Sequence, residues 1–171
     1  MKIHLARTLA TRSDSELVDL HDLWIGGNPP TRRPQLVMAL RSRMRDSRCV
    51  AERTAALSGP QAALFRLLIA DAGRAMPYER VRRDAEGSGF ATGSLRATLA
   101  DLVALGLAAE IPSARRARPA SVPDPGPSWG IPEEIAAATG EHPIADRGPG
   151  SLLTLNGWLE HRMRQRGGNG L

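Results

Sequence analysis

Apolar residues recur at helical spacing in three segments of the first third of the chain. Residues 13–24 open with the capping-box sequence SDSE and repeat leucine every three or four positions, which predicts an amphipathic helix. A second helix is predicted from a cap at Thr31 to about Asp46, and a short third helix over about residues 48–57. We interpret residues 1–57 as a small N-terminal helical subdomain.

Residues 58–140 show three helix patterns, followed by a short pair of strands. Ser58 is expected to cap the first helix, the second begins at Tyr78, and Thr92 caps the third. Gly106 is expected to take the positive φ that ends the third helix. This order of elements is typical of a winged helix-turn-helix domain.

The two predicted strands cover about residues 107–111 and 128–131. The loop between them is rich in proline, serine and arginine, a composition that disfavours regular structure. We therefore interpret this loop as a basic wing. The sequence PEEIAAATG then predicts a short helix that ends at Gly140.

A last apolar pattern lies at residues 151–166, after a linker of residues 141–150. Four apolar side chains fall on one face of a predicted helix, with a tryptophan beside them: Leu152, Leu155, Leu159, Met163 and Trp158. Such a row is costly in water, so the helix is expected to fold back on the body or to fill a groove on a partner protein, and the reach of the linker favours the partner. The predicted fold is mainly α: a winged helix-turn-helix core with a small N-terminal helical subdomain and a C-terminal amphipathic helix in residues 141–171.

The basic residues are almost all arginine. Lys2 is the only lysine among 23 basic residues, which face 18 acidic ones and leave a formal net charge of +5. A Walker A loop needs a lysine at the nucleotide phosphates, and Lys2 cannot follow such a loop, so ATP-driven motor activity by this chain alone is excluded. Arginine is a permanently charged, forked donor that suits phosphate. Codon bias is the alternative origin of the arginine content.

Several arginines are candidates for contact with nucleic acid. They lie on the predicted wing, on the second helix of the winged helix, beside its third helix and on the basic N-terminal segment: Arg115, Arg116, Arg118, Arg80, Arg82, Arg83, Arg96, Arg41 and Arg45. The alternatives are a solvated loop and surface charges that pair along a helix. The segment of residues 32–48 has six arginines, offset by Asp46 alone; it either extends a phosphate-binding track or pairs with the acidic helix at 13–24.

The third helix of the predicted winged helix argues against readout of a base sequence. The face opposite its leucines carries small and slightly acidic residues: Ser94, Ala97, Ala100, Asp101 and Ala104. Direct readout uses arginine, lysine, asparagine or glutamine on that face. The observed composition suits packing against a protein, or shallow docking on a duplex without discrimination between bases.

The sequence offers no candidate for catalysis, for a metal site or for a cofactor. The four histidines and the single cysteine show neither HxxH nor CxxC spacing. Cys49 alone excludes an intramolecular disulfide and fits a reducing cytoplasm. No apolar run approaches the ~20 residues of a membrane span, and the first residues lack the apolar region of a secretory signal.

Several segments resemble the N-terminal helicase-associated region of bacterial XPB-like helicase proteins. The resemblance is carried by SDSELVDL, TRRPQLVMALRSRM and VAERTAALSGPQAALFRLLIADAG, followed by ALGLAAE and WGIPEEIAAATG, over about residues 10–150. In that family the region is attached to a DNA-dependent motor or works beside one, and no motor sequence follows here. The resemblance therefore implies a stand-alone accessory subunit, and it transfers no functional residue.

Together these patterns lead us to expect a non-enzymatic, cytoplasmic winged-helix accessory protein. It would bind DNA weakly and without sequence preference, beside a nucleic-acid-processing partner such as a helicase. The alternative is a protein-interaction adaptor that docks through the alanine-rich third helix. A transcriptional regulator is a third hypothesis, and an enzyme the fourth.

Overall fold

The computed structural model describes residues 2–112 and 126–140. Within these residues the chain is mainly α-helical, as predicted, with a small three-stranded sheet. None of the described helices is long and apolar enough to cross a membrane. The elements are α1 (Leu5–Ala10), α2 (Asp14–Trp24), α3 (Arg33–Arg43), α4 (Ser47–Ala55), α5 (Gly59–Ile69), β1 (Met76–Pro77), α6 (Tyr78–Gly87), α7 (Leu95–Ala104), β2 (Ala109–Ile111), β3 (Ser128–Gly130) and α8 (Glu133–Ala138).

Two helices begin with the capping boxes that the sequence predicts or allows. At α2, the hydroxyl of Ser13 accepts a hydrogen bond from the backbone N–H of Glu16, whose carboxylate accepts one from the Ser13 N–H at 2.8 Å. At α5, Ser58 and Gln61 form the same reciprocal pair. Each box satisfies two N–H groups that the helix itself leaves without a partner. The predicted caps at Ser13 and Ser58 are confirmed.

The predicted cap at Thr31 is wrong. Arg32 occupies the N-cap position of α3, and Pro34 lies in the first turn, where a proline costs no helical hydrogen bond. The helix also ends before Asp46. The carboxylate of that aspartate instead caps α4, because it accepts hydrogen bonds from two backbone N–H groups of the first turn.

The start of α7 differs from the prediction, and its end agrees with it. A 3₁₀ turn, Thr92–Ser94, precedes the helix, and its N-cap residue Ser94 makes no side-chain capping bond. The predicted cap at Thr92 is therefore wrong. Gly106 has a φ of 75° and turns the chain from α7 towards β2, as predicted.

The sheet has one more strand than predicted. β2 and β3 pair antiparallel, which confirms the predicted pair, although both strands are shorter than expected. The two-residue strand β1 lies on the other side of β3, so the order is β1-β3-β2. Trp129 at the centre of β3 lies opposite Met76 of β1 and Glu110 of β2.

α2 and α3 lie side by side and run in the same direction. Arg33 at the start of α3 pairs with Asp14 at the start of α2. At the other end, Arg43 Nε donates to the carbonyl of Trp24 at 3.2 Å. Each helix has 11 residues and is therefore about 16 Å long, so an antiparallel pair would hold these partners too far apart.

The two predicted parts of the chain, 1–57 and 58–140, share one hydrophobic core. Buried residues from both form a single cluster, and α8 packs against α1 and α4. The Ile3 N–H donates to the Gly73 carbonyl at 2.9 Å, and the Glu133 N–H donates to the Ile3 carbonyl at 3.2 Å. The short helix α1 was not predicted, and it belongs to this shared core. The boundary at residue 57 stays a prediction.

Candidate nucleic-acid interface

Two of the three arginines on α6 are paired with carboxylates. Arg80 lies 2.8 Å from Asp71 and 3.6 Å from Asp84. Arg82 lies 3.0 Å from each of two glutamates on its own helix. The hydrogen bond that Arg82 donates to Glu79 is the main cause of the raised pKa of Arg82. These two guanidinium groups already have anionic partners, so they would contribute little to phosphate binding.

Arg83 and Arg96 differ from these two. Arg83 is exposed on α6 and makes no ion pair with the described residues. Arg96, in the first turn of α7, lies over the ring of Tyr78 with its Cζ 4.7 Å from the ring centroid. The ring of Tyr78 in turn packs against Trp129, with centroids 5.5 Å apart and planes tilted by 59°. Trp129 is 6% exposed, so the stack is anchored in the core.

The stack holds Arg96 without using its hydrogen-bond donors. No carboxylate or carbonyl of the described residues accepts a bond from Arg96. A guanidinium over an aromatic ring is attracted through its face, and its five N–H groups stay available in the plane. Arg96 is therefore an oriented cation with unused donors, at the end of α7 nearest the preceding helix.

Tyr78 and Trp129 were not among the predicted site residues. Tyr78 follows Pro77 at the start of α6, and 18 positions separate it from Arg96, so no short-range spacing links the two. Only the packing of α7 and β3 against α6 brings the three side chains together. An aromatic residue at the start of a helix is too common a feature to have identified the stack.

The rest of the surface formed by α6 and α7 is electrically balanced. α6 carries three arginines and three acidic residues, and α7 carries one of each. As predicted, Ala97, Ala100 and Ala104 are exposed on α7, and so is Asp101. Electrostatic attraction from these two helices alone is therefore small.

A shallow groove adjoins the far end of this alanine face. Its volume is about 320 Å³. Apolar residues from the end of α7 and from the turns that follow α4 and α7 line it, with polar side chains at its edges: Ala56, Leu57, Ala104, Leu105, Leu107, Arg53, Gln61 and Asp101. Gln61 Nε2 donates to Asp101 at 3.2 Å across one edge. The groove can accept an apolar side chain of a protein partner, and it offers a phosphate little.

Four other arginines donate to backbone carbonyls at helix ends: Arg12, Arg33, Arg43 and Arg53. The acceptors lie at or near the last residues of α1, α2 and α7. Helix C-termini leave carbonyls without partners and carry partial negative charge, so a cation is stabilising there. These arginines have a structural role.

The six-arginine segment of α3 and its flanks is thereby divided. Arg33 pairs with Asp14 of the acidic helix α2, as in the predicted alternative to a phosphate-binding track. Arg48 pairs with Glu52 at 3.1 Å. Arg41 and Arg45 are exposed and make no ion pair with the described residues. Since α3 packs against α1 and α2, these two are not part of the surface formed by α6 and α7.

The remaining predicted site residues lie outside the described residues. They are the predicted wing arginines and the apolar row near the C-terminus: Arg115, Arg116, Arg118, Leu152, Leu155, Trp158, Leu159 and Met163.

The described residues contain no group of three histidine, cysteine or acidic side chains that could hold a metal ion. Cys49 is buried, and burial raises the pKa of its thiol, so the thiol stays protonated and unreactive at neutral pH. His21 is also buried, and its Nδ1 has no hydrogen-bond partner among the described residues.

In comparisons with known proteins, no protein-family model, curated protein or solved structure matched this chain. The resemblance to the helicase-associated region therefore stays a prediction.

Proposed function

We propose that this chain is a winged-helix module that binds nucleic-acid phosphates weakly and without sequence preference, as an accessory to a nucleic-acid-processing partner. The order α5-β1-α6-α7-β2-β3, with β3 central in an antiparallel sheet, supports a winged helix. In helix-turn-helix docking, one helix enters a groove and the preceding helix crosses the backbone. α7 and α6 would take these two positions.

The observation that carries the proposal is the oriented guanidinium of Arg96. A free arginine side chain loses about 2 kcal/mol of rotamer entropy when it is fixed. The Tyr78 ring already restricts the Arg96 side chain before any ligand binds, so less of this entropy is lost on binding. The contact also leaves the N–H donors of Arg96 unused. Phosphate oxygens are the acceptors that suit such a fork.

The described charges favour weak binding. Arg83 and Arg96 are the arginines on α6 and α7 that make no ion pair with the described residues, and Arg115, Arg116 and Arg118 of the predicted wing would add at most three contacts. Two to five phosphate contacts correspond to a slope of log K against log salt between about −2 and −4.5. The exposed alanines of α7 offer no hydrogen bonds to bases, so affinity should be similar for unrelated sequences.

The test measures binding of two unrelated labelled duplexes and one single strand by fluorescence anisotropy across a salt series. The variant R96Q should make the slope about one unit shallower on both duplexes. The matched control is R7Q, which removes the same charge from an exposed position of α1 and should leave the slope unchanged. Tyr78→Leu should lower affinity without altering the slope, because the charge remains and only its orientation is lost.

Two results would overturn the proposal. One is the absence of binding to any of the three nucleic acids at the lowest salt. The other is an equal effect of R96Q and R7Q, because binding would then follow net charge and would not depend on this surface.

The groove beside α7 favours a second candidate function, a protein-interaction adaptor. Its apolar lining continues the exposed alanines of α7. The variant Ala100→Arg discriminates the two candidates, since it adds a cation at an exposed position of α7. It should steepen the salt slope by about one unit if this face meets phosphates. An unchanged slope in a folded variant favours the adaptor.

A further inference from the structure

The largest exposed apolar side chains of the described residues all lie on α2 and α3 or at their ends. Val18 is 41% exposed, Ile25 40% and Met38 67%. Scattered exposed apolar residues need no explanation, but a group on one face marks a contact surface. We call the exposed side of α2, Ile25 and α3 the α2–α3 face.

Charge is separated across this face. On the α2 side, Asp19 and Asp22 are exposed and make no ion pair with the described residues. On the α3 side, Arg41 and Arg45 are exposed and equally unpaired within the described residues. The face therefore has an acidic edge and a basic edge, and both lack partners in the described part of the chain.

The contacts of α3 show the order of these features. Ala39 and Arg43 lie on the side of α3 that faces α2, because they line a depression of about 520 Å³ together with Ile25. Met38 and Arg41, three positions apart, share the opposite flank of α3, and Arg45 follows in the turn after the helix. Across the face, the order is acidic edge, exposed Val18 and Ile25, depression, Met38, basic edge.

We propose that the α2–α3 face binds a second copy of this chain. α2 and α3 run in the same direction, so a two-fold axis parallel to them places α2 of each copy over α3 of the other. Asp19 and Asp22 then face the partner's Arg41 and Arg45. Met38 then faces the partner's Val18, and the depressions of the two copies face each other. A two-fold interface uses the same patch on both copies, and this patch is complementary to itself.

The charges decide between a second copy and nucleic acid. A duplex would meet Asp19 and Asp22 as well as the arginines, and the carboxylates repel phosphate. A second copy turned about the two-fold axis neutralises all four. The contact is limited to two 11-residue helices per copy, which places the buried area at the low end of specific interfaces. The dimer should therefore be weak, and it should weaken further as salt rises.

Sedimentation velocity of the full chain over a concentration series tests the proposal. The wild type should shift from monomer to dimer. The variants D22R and R41D should each be monomeric, because each places like charges opposite one another at both contacts. An equal mixture of the two variants should dimerise again, since the mixed pair restores opposite charges at both contacts. The matched controls R66D and E110R, at exposed positions outside the face, should dimerise like the wild type.

The mixing experiment separates the interface from effects on folding. A misfolded variant cannot regain a dimer on mixing, and circular dichroism of each variant checks the helix content. A wild type that stays monomeric at all concentrations would overturn the proposal, as would be expected if another segment of the chain covers the face. A mixture that remains monomeric while both variants are folded would also overturn it.

Discussion

The substitution Gly106→Ala tests whether the turn after α7 is held by packing as well as by backbone conformation. Gly106 has a φ of 75°, which costs a residue with a Cβ about 1–2 kcal/mol. The added Cβ would also lie 2.8 Å from Met44 Cε and 2.9 Å from Leu20 Cδ2, both in the core. Forcing an extra carbon into a packed core costs about 1–3 kcal/mol. The total expected loss of unfolding free energy is about 3 kcal/mol.

Urea and thermal unfolding measure this loss. For a chain of this size, about 3 kcal/mol corresponds to a fall in Tm of about 6–12 °C. The matched control is Gly26→Ala, where φ is 77° and an added Cβ meets nothing within 4 Å. That variant should lose only the conformational part, about 1–2 kcal/mol. Equal losses in the two variants would refute the reasoning, because the ends of Met44 and Leu20 would then have moved aside at no cost.

Three further predictions concern a cap, a close approach and a buried thiol. Ser13→Ala should cost about 1 kcal/mol at neutral pH. Hydrogen bonds from the Ser13 N–H and hydroxyl are the main causes that lower the pKa of Glu16 from 4.5 to about 2. The stability that ionised Glu16 contributes is therefore present above pH 4.5 and is lost as the pH falls from 4.5 to about 2. The unfolding free energy of the variant, measured by urea titration, should fall less steeply than that of the wild type over this pH range. Gly130→Ala should prevent folding or cost several kcal/mol, because the added Cβ would clash with the carbonyl oxygen of Arg74; an unfolding free energy equal to that of the wild type would contradict this. Cys49 should react with a thiol reagent only as fast as the chain opens, and rapid modification of the native protein would show that the thiol is accessible.

Local features of the fold could be predicted where one short segment contains the whole cause. The boxes at Ser13 and Ser58 depend on residues three positions apart, and both are present. Gly106 was predictable because a glycine at the end of an apolar helix pattern has few other uses. The predicted caps at Thr31 and Thr92 are wrong for different reasons. Pro34 in the first turn of α3 allows the helix to start one residue later, and a 3₁₀ turn that contains Thr92 precedes α7.

Features that depend on packing were not predictable. The direction of α3 relative to α2 is set by bonds at both helix ends, across a connection that returns along the length of α2. β1 has two residues, one of them proline, and it is a strand only because Trp129 of β3 lies beside it. The turn between α6 and α7 brings Arg96 over the ring of Tyr78. The apolar periodicity of neither helix predicts this contact.

The arginines show why composition alone could not locate the site. In a chain with one lysine, arginine must supply almost every permanent side-chain cation, including those that only stabilise the fold. Arg43 and Arg53 both donate to carbonyls at the end of α2, where lysine, histidine or water could serve in another protein. Arg80 and Arg82 neutralise carboxylates on and beside α6. The count of arginines therefore overstates the phosphate-binding surface, and the informative residues are those whose donors the fold leaves unused. By that criterion the candidates separate into Arg83 and Arg96 on α6 and α7, and Arg41 and Arg45 on the α2–α3 face, and the two pairs serve different proposed partners.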